Sequence, residues 1–317
     1  MACEKGLHMI YTVTLNPALD KTVLIESFTI DAVNRVVGCR IDPGGKGINV
    51  SKAIAKLGGA SLAFALLGGA TGETIRCALD ELAIPCRSFD AGGETRTNLK
   101  VADPRLHTHT DINEAGPHVS EVVLNDMLDS LVADLRAEDI VVLSGSLPEG
   151  VAPDTYALWT RACAAHGARV FLDAAGDALR YGLHAKPYLV KPNGAELEQL
   201  VGRTLCSTAE IVDAGRSLIV DGVRCVAVSL GSEGAVFLTS DTALLASAPE
   251  VRVSSTVGAG DSVVAALCHA LDCDLPWREA IALSMATGAA NVMSEGTQAA
   301  ERALIDSLVP EVRIEQL

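Results

Sequence analysis

Apolar β-branched runs alternate along the chain with longer segments of helical period. This is the pattern of parallel strands whose two faces are both covered by crossover helices. The clearest strands are Ile140-Val141-Val142-Leu143, Val170-Phe171-Leu172, Tyr188-Leu189-Val190 and Cys225-Val226-Ala227-Val228, and Tyr11 to Leu15 reads as the first of the series. Between them, Pro153 to His166 opens on a proline and stops at Gly167, and Ser207 to Val220 begins with Ser207-x-x-Glu210, the spacing of a capping box. The alternation predicts a doubly wound α/β sheet. Two stretches, roughly Asp20 to Ile41 and Thr95 to Ile112, break the rhythm with short strand-like pieces of mixed polarity and no helix between them. They predict a small second sheet beside the main one. No repeat, low-complexity linker or block of like charge appears.

Composition narrows the function classes. The chain has 317 residues, 49% of them hydrophobic, enough for a large core and against disorder over most of its length. Lys+Arg 25 against Asp+Glu 40 leaves a formal charge of −15, a field that repels nucleic-acid phosphates and anionic lipid, so neither nucleic acid nor a membrane surface is an expected partner. An anionic small substrate must then be met by a few local cations and backbone N–H groups. Nine cysteines without a Cys-x-x-Cys pair predict reduced thiols and a cytoplasmic location. The nearest pair, Cys268 and Cys273, lies in an apolar helical run and does not have the spacing of a structural zinc site. Met1 to His8 lack the pattern of a secretory leader, and no apolar run reaches the roughly 18 residues needed to span a membrane.

Open α/β sheets bind ligands beyond the carboxyl ends of their strands, so those turns carry the candidate chemistry. Thr256-Val257-Gly258-Ala259-Gly260-Asp261-Ser262 leads into an apolar helix, Val263 to Leu271. Its glycines let several N–H groups converge, and a helix N-terminus adds partial positive charge, which favours an anion. A carboxylate in the same turn either caps the helix or takes a proton from an attacking hydroxyl while the N–H groups hold a phosphoryl group. Pro43-Gly44-Gly45-Lys46-Gly47-Ile48-Asn49-Val50 precedes a helix running to about Leu57 and lacks the spacing of a Walker A loop. Its bare backbone and Asn49 suit a polyhydroxy ligand, or form a structural turn. Ser144-Gly145-Ser146-Leu147-Pro148, Lys191-Pro192-Asn193-Gly194-Ala195-Glu196 and Ser229-Leu230-Gly231-Ser232-Glu233-Gly234 each follow a strand. The last of these admits a nucleotide against bare backbone or is a glycine hairpin. Asn193 and Glu196, one helical turn apart, can hold hydrated Mg2+ or cap a helix. His107 and His109 share a face if they lie on a strand, but no third ligand is near.

Asn16-Pro17-Ala18-Leu19-Asp20, Gly44-Gly45-Lys46-Gly47-Ile48-Asn49, Ser144-Gly145-Ser146-Leu147-Pro148, Lys191-Pro192-Asn193-x-x-Glu196 and Thr256-Val257-Gly258-Ala259-Gly260-Asp261-Ser262 resemble, in order and spacing, the ribokinase-like (pfkB) carbohydrate kinases, in the phosphosugar branch. The resemblance runs from Met9 to about Leu308. It implies a three-layer α/β/α doubly wound sheet, residues 9–317 forming the kinase domain, with a small β-sheet lid inserted from roughly 20–41 and 95–112 and residues 1–8 as an extension. It also implies that Asp261 is the catalytic base and that the amides of Val257, Gly258, Ala259 and Gly260 receive the γ-phosphate of ATP. By the same resemblance, Asp20, Gly44, Gly45 and Asn49 grip sugar hydroxyls. Ser146 and Arg96, helped by Lys46 and Arg35, meet the phosphate already on the substrate. Lys191, Asn193, Ser229, Gly231 and Gly234 line the nucleotide site, and Glu196 orders Mg2+ through water. Arg35 would reach across a homodimer whose small sheets clasp each other. Lys46, Thr95-Arg96-x-Asn98-x-Lys100 and Asp111-Ile112-Asn113-Glu114-x-Gly116-Pro117 bring the chain nearest to the 1-phosphofructokinases, with tagatose 6-phosphate and fructose 6-phosphate as the alternative substrates. Thr97 and the His107 to Thr110 segment depart from that pattern. A non-catalytic sensor would have lost Asp261, Gly258 or Gly260, and a nicotinamide-dependent enzyme would carry Gly-x-Gly-x-x-Gly after Tyr11 to Leu15, where Asn16-Pro17 stands instead.

Overall fold

A computed structural model describes residues 8–294 and 296–317, so most of the extension expected at 1–8 lies outside the described residues. In chain order, β1 (Ile10–Thr14), β2 (Ala18–Leu24) and β3 (Gly38–Gly44) precede α1 (Lys46–Leu57), β4 (Leu62–Leu67), α2 (Gly69–Glu81), β5 (Cys86–Asp90), β6 (Arg96–Asp103) and β7 (Thr108–Asn113). Next come α3 (Glu121–Asp134), β8 (Ile140–Ser144), α4 (Thr155–Ala165), β9 (Arg169–Asp173), α5 (Gly176–Leu183), β10 (Leu189–Val190), α6 (Gly194–Val201), α7 (Thr208–Val220) and β11 (Cys225–Ser229). The chain closes with β12 (Ala235–Leu238), β13 (Ala243–Ser247), α8 (Ala259–Asp272), α9 (Trp277–Met293), α10 (Arg302–Leu308) and β14 (Arg313–Gln316).

The main sheet has the order β14-β13-β12-β11-β10-β9-β8-β1-β4-β5. Its pairings from β5 through β11 are parallel. β12, β13 and β14 add antiparallel to that edge, and β11 with β12 makes the glycine hairpin that Ser229 to Gly234 offered as one of its two readings. β8 shows why the parallel part forms. Ile140 and Val142 enter one apolar cluster with Val50, Ile54, Val264 and Ile281 of α1, α8 and α9, while Val141 and Leu143 enter another with Met127, Tyr156 and Leu218 of α3, α4 and α7. Each such buried aliphatic side chain contributes about 1.5–3 kcal/mol, so a polar substitution on either face of β8 would open the three-layer core.

Two helix starts differ from expectation. α4 begins at Thr155, two residues after Pro153. At α7, Ser207 Oγ accepts the Glu210 N–H at 3.3 Å, but Glu210 Oε2 accepts from Cys206 N–H at 2.6 Å and not from Ser207, so the box is only half made.

The second sheet, β3-β2-β6-β7, covers residues 18–44 and 96–113, slightly more than expected. Its period-2 alternation gives it two characters. Asp20 and Thr22 stand beside Asn98 and Lys100 on one face, and Leu19, Val23, Leu99 and Val101 alternate to the other. The β2–β3 connection exposes Ile30 and Val33 at 87% and 86%, with Val36 and Val37 beyond them.

Among the described residues no helix is long and apolar enough to cross a membrane. Cys39, Cys77, Cys86, Cys163, Cys206, Cys225 and Cys268 are free thiols. Cys273 is disulfide-bonded, so the expectation of reduced thiols throughout fails there.

Candidate active site

Because β1, β8, β9, β10 and β11 run parallel, the turns that follow them all open on one edge of the sheet. They deliver Asn16, Ser146, Asp173, Lys191 and Ser229 to one cavity of about 740 Å³, which the second sheet covers with Asp20, Asn98 and Lys100. A neighbouring cavity of about 650 Å³ is walled by Val251, Val263 and Met285 together with Gly231 and Gly234. The two share Lys191, Ser229 and Gly260. This is a polar chamber joined to an apolar one, with the start of α8 at the junction.

α8 begins at Ala259, earlier than the apolar pattern predicted, with Gly258 as its N-cap in the left-handed region at φ 80, where a side chain would be strained. The first intrahelical bond runs from Ser262 N–H to the Gly258 carbonyl, so the N–H groups of Ala259, Gly260 and Asp261 have no intrahelical acceptor. Val257 N–H, expected among the anion-binding amides, donates instead to Ser255 Oγ at 3.3 Å. Asp261 lies inside the first turn and does not cap the helix, which removes the capping alternative. It is 6% exposed, and its Oδ2 accepts from Asn49 Nδ2 at 2.9 Å. Burial raises its pKa above the usual 3.8 and the nearby Asp173 adds to the rise, while Lys46, the Asn49 bond and Lys191 oppose it.

A folded-state pKa above the unfolded value means that the ionised Asp261 costs stability. The cost is absent well below pH 3.8, grows as pH rises from there to the folded-state value and is constant above it. Asp261→Asn is therefore expected to melt at a higher temperature than the unaltered protein at neutral pH, with the difference shrinking toward pH 4, as scanning calorimetry over that range would show.

Asp173 sits at the end of β9 between two cations, 3.0 Å from Lys46 Nζ and 3.4 Å from Lys191 Nζ. Burial alone would raise its pKa, but Lys191 and Lys46 outweigh it and hold the carboxyl below its usual range. For Lys46, burial works against the charge, and Asp173 and Asp261 restore it with some excess.

On the covering side, Asp20 Oδ1 accepts from Asn98 Nδ2 at 3.0 Å, and burial raises its pKa. Gly44 lets the chain pass beneath this carboxylate, since a Cβ there would stand 2.1 Å from Asp20 Oδ2. Arg96 donates to the carbonyls of Glu114 and Asn16, each at 3.0 Å, and Asn16 Nδ2 donates to Ser146 Oγ at 3.2 Å. Thr14 Oγ1, Asn16 Oδ1, Arg96 Nε, Asn98 Oδ1 and Asp173 Oδ2 are buried without a protein partner, and all five residues line the larger cavity. Buried polar atoms are ordinarily paired, so a wall with this many open partners suits a hydroxyl-rich ligand.

Several candidate residues fall elsewhere. Arg35 is exposed in the β2–β3 connection, away from both cavities. Asn193 and Glu196, by contrast, do line the larger cavity, and they also form a complete capping box for α6, each side chain accepting the other's N–H at 2.8 Å. His107 is in the β6–β7 turn at φ 53, not on a strand with His109, and no metal-holding cluster occurs among the described residues.

Residues 14–304 match the family profile described as pfkB family carbohydrate kinase. The chain belongs to that family. It is 38% identical over 309 residues to the 1-phosphofructokinase of Bacillus subtilis, covering 98% of this chain and 100% of that protein. It is 41% identical over 283 residues to the 1-phosphofructokinase of Rhodobacter capsulatus, covering 87% and 88%. The crystal structure of Escherichia coli phosphofructokinase-2 in complex with fructose-6-phosphate superposes with a TM-score of 0.91 at 30% identity, covering 96% of this chain and 99% of that one.

Two residues of this pfkB kinase's site escaped the sequence reading. Asp173 ends a strand that the apolar pattern located, and the strand-end rule applied to Val170-Phe171-Leu172 would have found it. Lys52 is buried on α1, with Nζ bonded to the Pro43 carbonyl at 2.8 Å, Asn49 Oδ1 at 3.1 Å and Thr297 Oγ1 at 3.4 Å. Nothing in its sequence neighbourhood separates it from a surface lysine.

Proposed function

We propose that the chain is an ATP-dependent kinase that converts fructose 1-phosphate to fructose 1,6-bisphosphate. The observation that carries this reading is a buried carboxylate, Asp261, at the junction of a hydroxyl-binding chamber and a largely apolar one. Phosphoryl transfer needs mainly alignment and charge neutralisation. In this reading the sugar occupies the larger cavity, its hydroxyls held by Asp20, Asn49 and the backbone at Gly44 and Gly45, and its phosphate met by Arg96, Ser146 and Lys46. ATP lies along Lys191, Asn193, Ser229, Gly231 and Gly234. Gly258, Ala259 and Gly260 turn their N–H groups to the γ-phosphate, and Asp261 takes the proton of the attacking hydroxyl. Glu196 borders the cavity with one carboxylate oxygen left by its capping bond, which suits contact through water with Mg2+. The ion would lessen the negative charge of the phosphates.

The second sheet acts as a lid. A second copy of the chain covers its exposed Ile30, Val33, Val36 and Val37 and takes up Arg35, an arrangement in which Val33→Asp would sediment as a monomer and the unaltered chain as a dimer. A cytoplasmic location accords with the seven free thiols among the described residues, the disulfide at Cys273 being the exception.

Release of ADP with fructose 1-phosphate, fructose 6-phosphate, tagatose 6-phosphate and unphosphorylated sugars tests the substrate. The highest kcat/KM is expected with fructose 1-phosphate. A clear preference for fructose 6-phosphate, the second reading favoured by the likeness to phosphofructokinase-2, would replace it.

A further inference from the structure

Lys52 contributes nothing to the cavity wall, yet a buried ammonium is costly unless its donors are used. All three are used, and one acceptor is Asn49 Oδ1. An ammonium can only donate, so it compels Asn49 to turn its oxygen toward Lys52 and its Nδ2 toward Asp261. We propose that Lys52 is a positioning residue for Asp261, acting through Asn49 to keep a hydrogen-bond donor, and never an acceptor, against the carboxylate that serves as base.

The inference rests on the reading of Asp261 as the base. Its physical content is a bias between protonation states. With an apolar residue at position 52, the Asn49 amide is free to rotate and accept from a protonated Asp261, which favours the form that cannot take a proton. With Lys52 in place, only the ionised carboxylate is satisfied. The charges facing Lys52 are Asp42 and Arg40 from β3, Asp20 from β2 and Asp261 from α8. Burial lowers its pKa to about 8 in spite of the three carboxylates. The bond to Pro43 also ties the Asn49 amide to the last turn of the lid strand β3, and the bond to Thr297 ties it to the segment after α9.

The test is the pH dependence of kcat/KM in Lys52→Met and Lys52→Arg, with melting temperature and ATP affinity as checks on folding. In Lys52→Met the acid limb is expected about one unit higher, with turnover near that limb about tenfold lower, KM for ATP within about twofold, and Lys52→Arg restoring the limb. If Lys52→Met does not fold, Lys52→Gln, which is neutral and can offer an acceptor, is expected to move the limb the same way by less. An acid limb that stays where it was in the neutral variant, however much turnover falls, would overturn the inference, as would an equal shift in Lys52→Arg. Full turnover in Asp261→Asn would instead remove the base on which it depends, so the two failures are distinguishable.

Discussion

Asp261→Asn is expected to lower kcat by about 10²–10⁴-fold, the usual contribution of a positioned general base, which corresponds to about 3–5 kcal/mol of barrier. The change is nearly isosteric, and an asparagine oxygen can still accept from Asn49 Nδ2, so packing at the start of α8 is kept. KM for ATP is expected to move by less than about threefold, because the α8 amides and the apolar chamber are untouched. In the unaltered protein, activity is expected to fall as pH drops through the raised Asp261 value, since a protonated acid could not accept the hydroxyl's proton. That limb should vanish in the variant. Steady-state kinetics across pH check both statements, and a variant with near-normal turnover would mean that the carboxylate is not the base.

Arg96→Ala is expected to raise KM for the sugar phosphate by about 10–100-fold while leaving KM for ATP nearly unchanged, on the scale of about 1.5–3 kcal/mol for hydrogen bonds to charged groups. The guanidinium is held by the carbonyls of Asn16 and Glu114, and its Nε is buried and unpartnered, so the site has an oriented donor in a chain whose net charge of −15 otherwise opposes an anion. The diagnostic is selectivity. Unphosphorylated fructose should lose far less than fructose 1-phosphate, because only the latter brings an anion to this arginine. An equal loss for both would assign Arg96 to holding the loop from Glu114 to Gly116 and not to the phosphate.

Direction and tertiary contact separate what the sequence made legible from what it did not. β8 and β11 were readable because a strand buried on both faces must be apolar throughout. The antiparallel return of β12 was legible only as an alternative, the glycine hairpin after Ser229, because an apolar run of four residues looks the same either way along the sheet. Around Asp261, Gly-x-Gly-Asp before an apolar run allowed both a cap and a base. The cap was excluded only by the true start of α8, and the partner that Asp261 has instead, Asn49, lies 212 positions away. For Asn193 and Glu196 the cap is made and both residues still line the cavity, so the one reading does not displace the other. Asp173 and Lys52 owe their properties to partners brought in from other elements, Lys46 and Lys191 for the acid and Pro43 and Thr297 for the amine, and no local spacing encodes those meetings.

The alternating faces of the small sheet also set a rule for how such a gene can change length. Deleting or duplicating a single codon within β2 would rotate every later side chain of that strand by half a turn, carrying Asp20 or Thr22 outward and offering Lys21 or Val23 to the cavity instead. The β2–β3 connection carries no such parity. Evolutionary gain and loss of residues should therefore collect between Ile25 and Val37 and leave the paired segments on either side at fixed length.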